Sequence, residues 1–337
     1  MDSSRNPGIR IESVSPCAAI PGGCLEVSGS GMADAACKQP VVSFGEVHGR
    51  LVFSSPDRLL VRVPDDATES ELTVHRGGLD SPAVPFALGR FLASDLHPVA
   101  NPAVDRQGNI LTTQSGARGK KTPISVFKIA RDSSKAQPFL SGIMNPTGLL
   151  LRPDGTLLIS SRHNGTIYEA TPHGDLEVFA EGMGVATGLA MDASENIYVG
   201  DRTGTIFKIS PGPKIFVFAT LEPSVAAYHL AAGPDGNLFV SAPTTSSFDS
   251  VYRIDQEGNV TVWRRGFGRP QGIAFDAAGR LHLCASYRGQ RGIFRLAGRT
   301  GIEHVVSGQG IVGLAFDPFG AMVVATGDSV YRVPRID

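Results

Sequence analysis

Gly188-Leu-Ala-Met-Asp192, Asn196-Ile-Tyr-Val-Gly200 and Gly204-Thr-Ile-Phe-Lys-Ile209 are three short apolar runs parted by turn residues. Apolar side chains alternate or run in fours between Gly, Asp and Asn, which is the chemistry of strands joined by tight turns. The same lines return as Gly272-Ile-Ala-Phe-Asp276, Arg280-Leu-His-Leu-Cys284 and Gly292-Ile-Phe-Arg-Leu296. Openers of this kind fall at Asn101, Gly148, Gly188, His229, Gly272 and Gly313, at spacings of 47, 40, 41, 43 and 41 residues, each seven residues ahead of a hairpin turn. The clearest copy reads as four strands over 148–151, 156–160, 165–169 and 176–180. A single four-stranded sheet cannot bury both faces, so copies must stack, and a radial stack at this period is a β-propeller. Six copies predict six blades from about residue 98 to the end. The last copy stops one strand short after 321–325 and 329–333. Residues 85–93 are therefore expected to supply the missing strand, pair with 329–333 and leave no open edge.

Residues 1–88 carry no such period and are expected to form a separate domain, with the propeller over 89–337. Ile11-Glu-Ser-Val-Ser-Pro16, Ile20-Pro-Gly-Gly23, Leu25-Glu-Val-Ser-Gly-Ser-Gly31, Val41-Val-Ser-Phe-Gly45, Leu59-Leu-Val-Arg-Val-Pro64 and Leu72-Thr-Val-His75 read as short strands broken by Gly and Pro. That pattern predicts a small β-sandwich. The order and wording of these segments resemble the IPT/TIG family of immunoglobulin-like domains, which implies a spacer or interaction module. The expected fold class is thus all-β, a six-bladed propeller with an N-terminal immunoglobulin-like sandwich.

At 337 residues there is room for two domains. The formal net charge is −1 and no Lys/Arg run exceeds two residues, so no nucleic-acid partner is expected. No apolar run reaches the length of a membrane span, so no membrane partner is expected either. Met1 to Arg10 is polar and lacks the apolar centre of a signal peptide, which sets the expectation of a cytoplasmic protein. Cys17, Cys24 and Cys37 cluster near the start, while Cys284 stands alone in a strand. None has C-x-x-C spacing, so free thiols are expected, with a bridge from Cys17 to Cys24 or Cys37 as the alternative.

Innermost strands line the channel of a propeller, and the loop entering each one shares a face with the loop joining the second and third strands. Entering loops include Leu221-Glu-Pro-Ser-Val-Ala-Ala-Tyr-His229 and Gly182-Met-Gly-Val-Ala-Thr187. Second-to-third loops read as enlarged at Ser115-Gly-Ala-Arg-Gly-Lys-Lys-Thr122, Pro243-Thr-Thr-Ser-Ser-Phe-Asp249 and Tyr287-Arg-Gly-Gln-Arg-Gly292, whereas the opposite face carries tight turns such as Pro153-Asp-Gly155. Varied loops on one face of a rigid scaffold predict the binding site there. Ligand contacts are expected from Asn101, Thr147, Thr187, Tyr228 and Gln271 at the strand openings, and from Arg162, Asp201, Arg202 and Arg288 in the loops. Guanidinium groups ringed around one channel can hold a carboxylate or phosphate bidentately. The alternative is that they pair with Asp201, Asp249 and Glu222 to tie blades together. Glycine at four of the six openers is expected to clear space for a ligand.

His229 stands where those blades have glycine. An imidazole acts as base, acid or metal ligand near neutral pH, so His229 is the candidate catalytic residue. A histidine hydrogen-bonded inside the channel mouth without chemistry is the alternative. His97 and His163 share the same face. No nucleophile elbow, phosphate loop or dinucleotide fingerprint occurs.

Pro146-Thr-Gly-Leu149, Pro270-Gln-Gly-Ile-Ala-Phe-Asp276 and Gly204-Thr-Ile-Phe-Lys-Ile209 resemble NHL repeats and the gluconolactonase/senescence-marker-protein superfamily of six-bladed propellers. The resemblance implies a bacterial gluconolactonase-like protein, with hydrolysis of a lactone or related ester as its activity, or a lyase step through His229. It also implies a divalent metal, calcium, on a Glu, an Asn and an Asp near the starts of innermost strands. The matching pairs here, Ala100-Asn101, Thr147-Gly148, Thr187-Gly188, Tyr228-His229, Gln271-Gly272 and Val312-Gly313, contain no carboxylate. Calcium wants several oxygen ligands with negative charge among them, so no metal ligand set is carried over and only Asn101 matches. The competing reading is a non-catalytic module whose partner is a small anionic or sugar-like molecule or a protein loop.

Overall fold

The computed structural model describes residues 8–33, 39–117, 119–212, 214–298 and 300–336. The described chain is all-β, and it divides into two compact units. Of the described residues, one comprises those within 8–90 with 304–309 and 336, the other those within 91–303 with 310–335.

In the first unit one sheet joins Arg10–Ser15, Cys24–Ser30, Arg58–Arg62 and Arg50–Ser54. A second joins Val84–Pro85, Glu71–Arg76, Val41–Phe44 and Val47–His48. Alternate residues of these strands, among them Leu25, Val27, Leu59, Val61, Leu72 and Val74, point into one core around Phe44 and Phe86. The rings of that pair meet edge to face at 5.5 Å. Ile20-Pro-Gly-Gly23 is a turn rather than a strand, because Gly22 takes a left-handed backbone that few other residues tolerate. Arg50–Ser54 is a further strand without a sequence signal, since its half-exposed pattern carries no clean alternation. Cys24 is a free thiol, so it does not bridge to Cys17, and Cys37 lies outside the described residues.

Six blades of four strands follow: five are four-stranded sheets, and blade five is the run Ile273–Phe275, Leu281–Tyr287, Gln290–Ala297 and Gly301–Ser307 within a six-stranded sheet. In five of the six blades the strands run from innermost to outermost in chain order. The innermost strands are Ala103–Val104, Pro146–Leu151, Ala186–Met191, His229–Ala232, Ile273–Phe275 and Ile311–Phe316. Each lies beside the next and the last returns to the first, which closes the ring. The sheets are held by apolar layers between neighbours: Leu158, Ile167, Leu189 and Val199 join blades two and three, and Tyr228, Leu230, Ile206 and Val240 join three and four. Each such Leu, Ile or Val stabilises the fold by about 1.5–3 kcal/mol on burial.

Blade six completes itself with Arg90–Ala93, which pairs with Val330–Val333. Leu92, Ala93 and Leu96 pack there with Ile110, Val323 and Val330. The closing segment is narrower than the expected 85–93. Val84–Pro85 and Ala87–Leu88 pair instead with Glu71–Arg76 and Ala18–Ala19 of the first unit.

Five hairpin turns share one device. Asp105, Asp192, Asp255, Asp276 and Asp317 each accept the N–H groups two and four residues on, as when Asp192 takes those of Ser194 and Asn196 at 2.9 Å. Burial works to raise the Asp192 carboxyl, yet bonds from Asn196, Tyr198 and Ser194 outweigh it and hold the group below its ordinary value. Four of these turns, all but that of Asp255, join the first and second strands of a blade, with the aspartate four residues after the opener, which is why the step from opener to turn is so regular there.

The loop expected at Tyr287-Arg-Gly-Gln-Arg-Gly292 is not enlarged. Leu281–Tyr287 and Gln290–Ala297 run on as a long hairpin closed by Arg288 and Gly289, both with positive φ, 49° and 81°. That two-residue turn matches the twist of the flanking strands. It carries Arg288 out to an exposed tip.

Candidate ligand site at the channel mouth

On the loop-rich face a cavity of 330 Å³ opens at the axis of the propeller. All six blades reach it: His97 with Pro98 and Val99, Thr147 with Arg162, Thr187 with Arg202, residues 225–227, Gln271, and Val312 with Gly327. A second cavity of 520 Å³ shares Arg162 and Arg202 and is otherwise lined by Val185, Thr203, Pro223 and Ser224. Five of the residues singled out from the sequence thus meet at one place: Thr147, Arg162, Thr187, Arg202 and Gln271.

Their chemistry is uneven. The Thr147 hydroxyl donates to the Asn145 carbonyl at 3.2 Å, while that of Thr187 donates to Gly200 at 2.9 Å and accepts the Tyr228 N–H. Both threonines are buried and serve the strands first. Gln271 is half-buried, and its side-chain amide makes no hydrogen bond among the described residues. Arg162 donates through Nη2 to the Gly116 carbonyl at 3.0 Å. Arg202 donates through Nε to Ser224 at 3.1 Å and through Nη2 to Val225 at 2.9 Å. Backbone carbonyls therefore help to aim these guanidinium groups. Arg202 forms no ion pair with a described carboxylate, so the expected tie to Asp201 is absent.

Asp201 is spent elsewhere. Its carboxylate accepts the N–H groups of Val185 (2.8 Å) and Thr203 (3.1 Å) and the Thr203 hydroxyl, beneath the loop that carries Arg202. Tyr228 is buried and donates its hydroxyl to the Glu222 carbonyl. Burial first, then the nearby Tyr252, Glu222 and Asp201, holds that phenol above its ordinary value. Neither residue lines the cavity. Arg288 stands apart, at a different cavity.

His229 is also away from the mouth. Only 2% of it is exposed, and its Nε2 is buried with no hydrogen-bond partner. Leu230 joins the layer toward blade three and Ala231 the layer toward blade five, so alternation turns His229 to the blade-five side. Burial holds its imidazole down at about 4, and the same cause, with smaller opposing and reinforcing contributions around it, holds His282 at about 4. Both are therefore neutral at pH 7. A depressed histidine stabilises the fold fully above its ordinary value of 6.5 and loses that contribution as pH falls toward 4. Urea unfolding is expected to show stability declining across pH 6.5 to 4, with a shallower decline in His229→Gln.

Asn101 is a fastener. Its side-chain NH₂ donates to the Ile273 carbonyl at 2.9 Å and its oxygen accepts the Leu314 N–H at 3.1 Å, so blade one is stitched to blades five and six. Asn101→Ala is expected to cost about 1–3 kcal/mol in denaturant unfolding, because two backbone groups at buried residues lose their partner.

The opener glycines do not clear ligand space. A Cβ on Gly148, Gly188, Gly272 or Gly313 would meet the backbone of the next blade inside 3.0 Å, as at Gly313 Cα, 2.6 Å from the position on Gly272. They are glycines because neighbouring innermost strands touch backbone to backbone. His97, placed on this face by its loop position but given no ligand contact, is exposed and lines the cavity from a loop where its own φ is 45°. Irregular backbone gives no periodic signal.

Calcium does not suit the residues present. No carboxylate lines the axial cavity, two guanidinium groups do, and among the described residues no three His, Cys, Asp or Glu gather as ligands.

The sequence matches no family model and no curated protein. Solved structures are similar in fold. An auxiliary nutrient binding protein from Bacteroides ovatus is 13% identical over 98% of this chain and 99% of its own, with a TM-score of 0.53. A virginiamycin B lyase from Staphylococcus aureus is 15% identical over 73% and 98%, with a TM-score of 0.51. A gluconolactonase-like protein is 18% identical over 73% and 91%, with a TM-score of 0.59. These likenesses define the class: an all-β protein of the β-propeller kind.

Proposed function

We propose that this protein binds a small anionic ligand of the sugar-acid type in the axial cavity, without catalysis. One observation carries the reading: six blades converge on a cavity that presents Arg162, Arg202 and the free amide of Gln271 and no carboxylate. A concave site with a few convergent polar groups is how small ligands are held. The similar fold of nutrient binding proteins supports it. Isothermal titration with D-gluconate is expected to give saturable binding. Arg202→Ala should weaken it about tenfold or more, the worth of a charge-assisted hydrogen bond. No heat with the wild type, or unchanged affinity in the variant, overturns the proposal.

A gluconolactonase-like hydrolase or a lyase is the second reading, favoured by the exposed imidazole of His97 beside the two arginines. Turnover of D-glucono-1,5-lactone by the wild type would decide for it. We infer that the N-terminal sandwich is of the IPT/TIG type and serves as a spacer, supported by the order of its segments and by its two packed sheets.

A further inference from the structure

Far from the axis, a second basic cavity opens on the rim of blades four and five. Its volume is 620 Å³, and Trp263, Arg264, Arg265, Tyr287 and Arg288 line it together with small and aliphatic groups. Three guanidinium groups meet there and no acidic side chain does. The carboxylate that follows Ile302 in the chain, Glu303, is already held by Arg295 at 2.5 Å. Arg265 and Arg288 are exposed and form no ion pair with a described carboxylate.

Arg264 is the unusual member. Only 7% of it is exposed, its Nη2 donates to the carbonyls of Ala297 (2.9 Å) and Gly298, and its Nε is buried with no partner. A buried cation without a counter-charge is costly, and a bound anion would offset that cost. The aromatic rings prepare the site for one. Arg264 lies over the Trp263 ring at 4.8 Å and Arg288 over the Tyr287 ring at 5.2 Å. Stacking fixes the plane of a guanidinium and leaves its in-plane N–H donors to meet an oxyanion two at a time. The rings are themselves fixed, Trp263 against Phe239 and Tyr287 against Phe267 and Phe294.

We propose that this rim cavity is an oxyanion site that takes a phosphate or sulfate group through Arg264, Arg265 and Arg288, independently of the axial cavity. Three cations and no acid favour a doubly charged group over a single carboxylate. The volume leaves room for the molecule that bears it.

The chain has one tryptophan, so its emission reports on this site alone. Sodium phosphate titrated into the full-length protein at constant ionic strength is expected to change Trp263 fluorescence saturably, and sodium sulfate likewise. Phosphate acting without sulfate would narrow the site to phosphate, and the reverse to sulfate. In the Arg265→Ala/Arg288→Ala double variant the midpoint should rise at least tenfold. Both side chains are exposed, so folding should be unchanged, which circular dichroism checks. Arg202→Ala should leave the midpoint where it was, which separates this site from the axial one. A response reproduced by sodium chloride, absent for both anions, or equal in the double variant overturns the proposal.

Discussion

Leu92→Asp is expected to open the propeller, with a loss of about 3 kcal/mol or more and a fall in melting temperature of roughly 10 °C. Leu92 is 1% exposed and sits with Ala93 and Leu96 among Ile110, Ile129, Val323 and Val330. A carboxylate there would have no partner, and the strand it belongs to is the one that completes blade six. Phe91, its neighbour in the same strand, is 49% exposed, lies outside that layer and meets the Tyr331 ring edge to face at 5.8 Å. Phe91→Asp should therefore cost little. Differential scanning calorimetry of the two variants checks the assignment, and equal melting temperatures would refute it.

Gly188→Ala is expected to be nearly as damaging, about 3 kcal/mol by denaturant unfolding. The added methyl group would lie inside 3.0 Å of the Tyr228 carbonyl in the next blade, where no flexible side chain can move aside. The control is Gly327, which lines the axial cavity with open space around its Cβ position. Gly327→Ala should leave stability within about 0.5 kcal/mol of wild type. If Gly188→Ala were neutral, the backbone contact between blades would not be what selects glycine.

The blades were legible because their signals are local. The step from opener to turn is written by residues such as Asp192 and Asp276, whose carboxylates accept backbone N–H groups within the same turn, and Asn196, whose side-chain amide donates to Asp192. The convergence of Arg162 and Arg202 was legible too, since both hold the same place in successive blades. What failed were inferences about distance between strands. The glycine openers look the same in sequence whether they make room for a ligand or for a neighbouring backbone. His229 looks like a channel residue until alternation turns it toward blade five, and burial then decides its protonation. Tyr287-Arg-Gly-Gln-Arg-Gly292 reads as a loop because Arg and Gly weaken its alternation, although the two-residue turn at Arg288-Gly289 lets the strands run through. Asn101 was visible as an exception, but its bonds span 172 and 213 residues of chain, and no local pattern encodes partners so remote.

The strand Arg90–Ala93 also imposes an order of events. It is synthesised ahead of every blade, yet its partner Val330–Val333 comes last. Until then the edge of Arg90–Ala93 and the faces of blades one and six stay open to water and to other chains. Long-range pairing of this kind is slow and leaves nascent chains prone to association. The ring is therefore locked only once Val330–Val333 has emerged, and any truncation ahead of that strand forfeits the lock altogether.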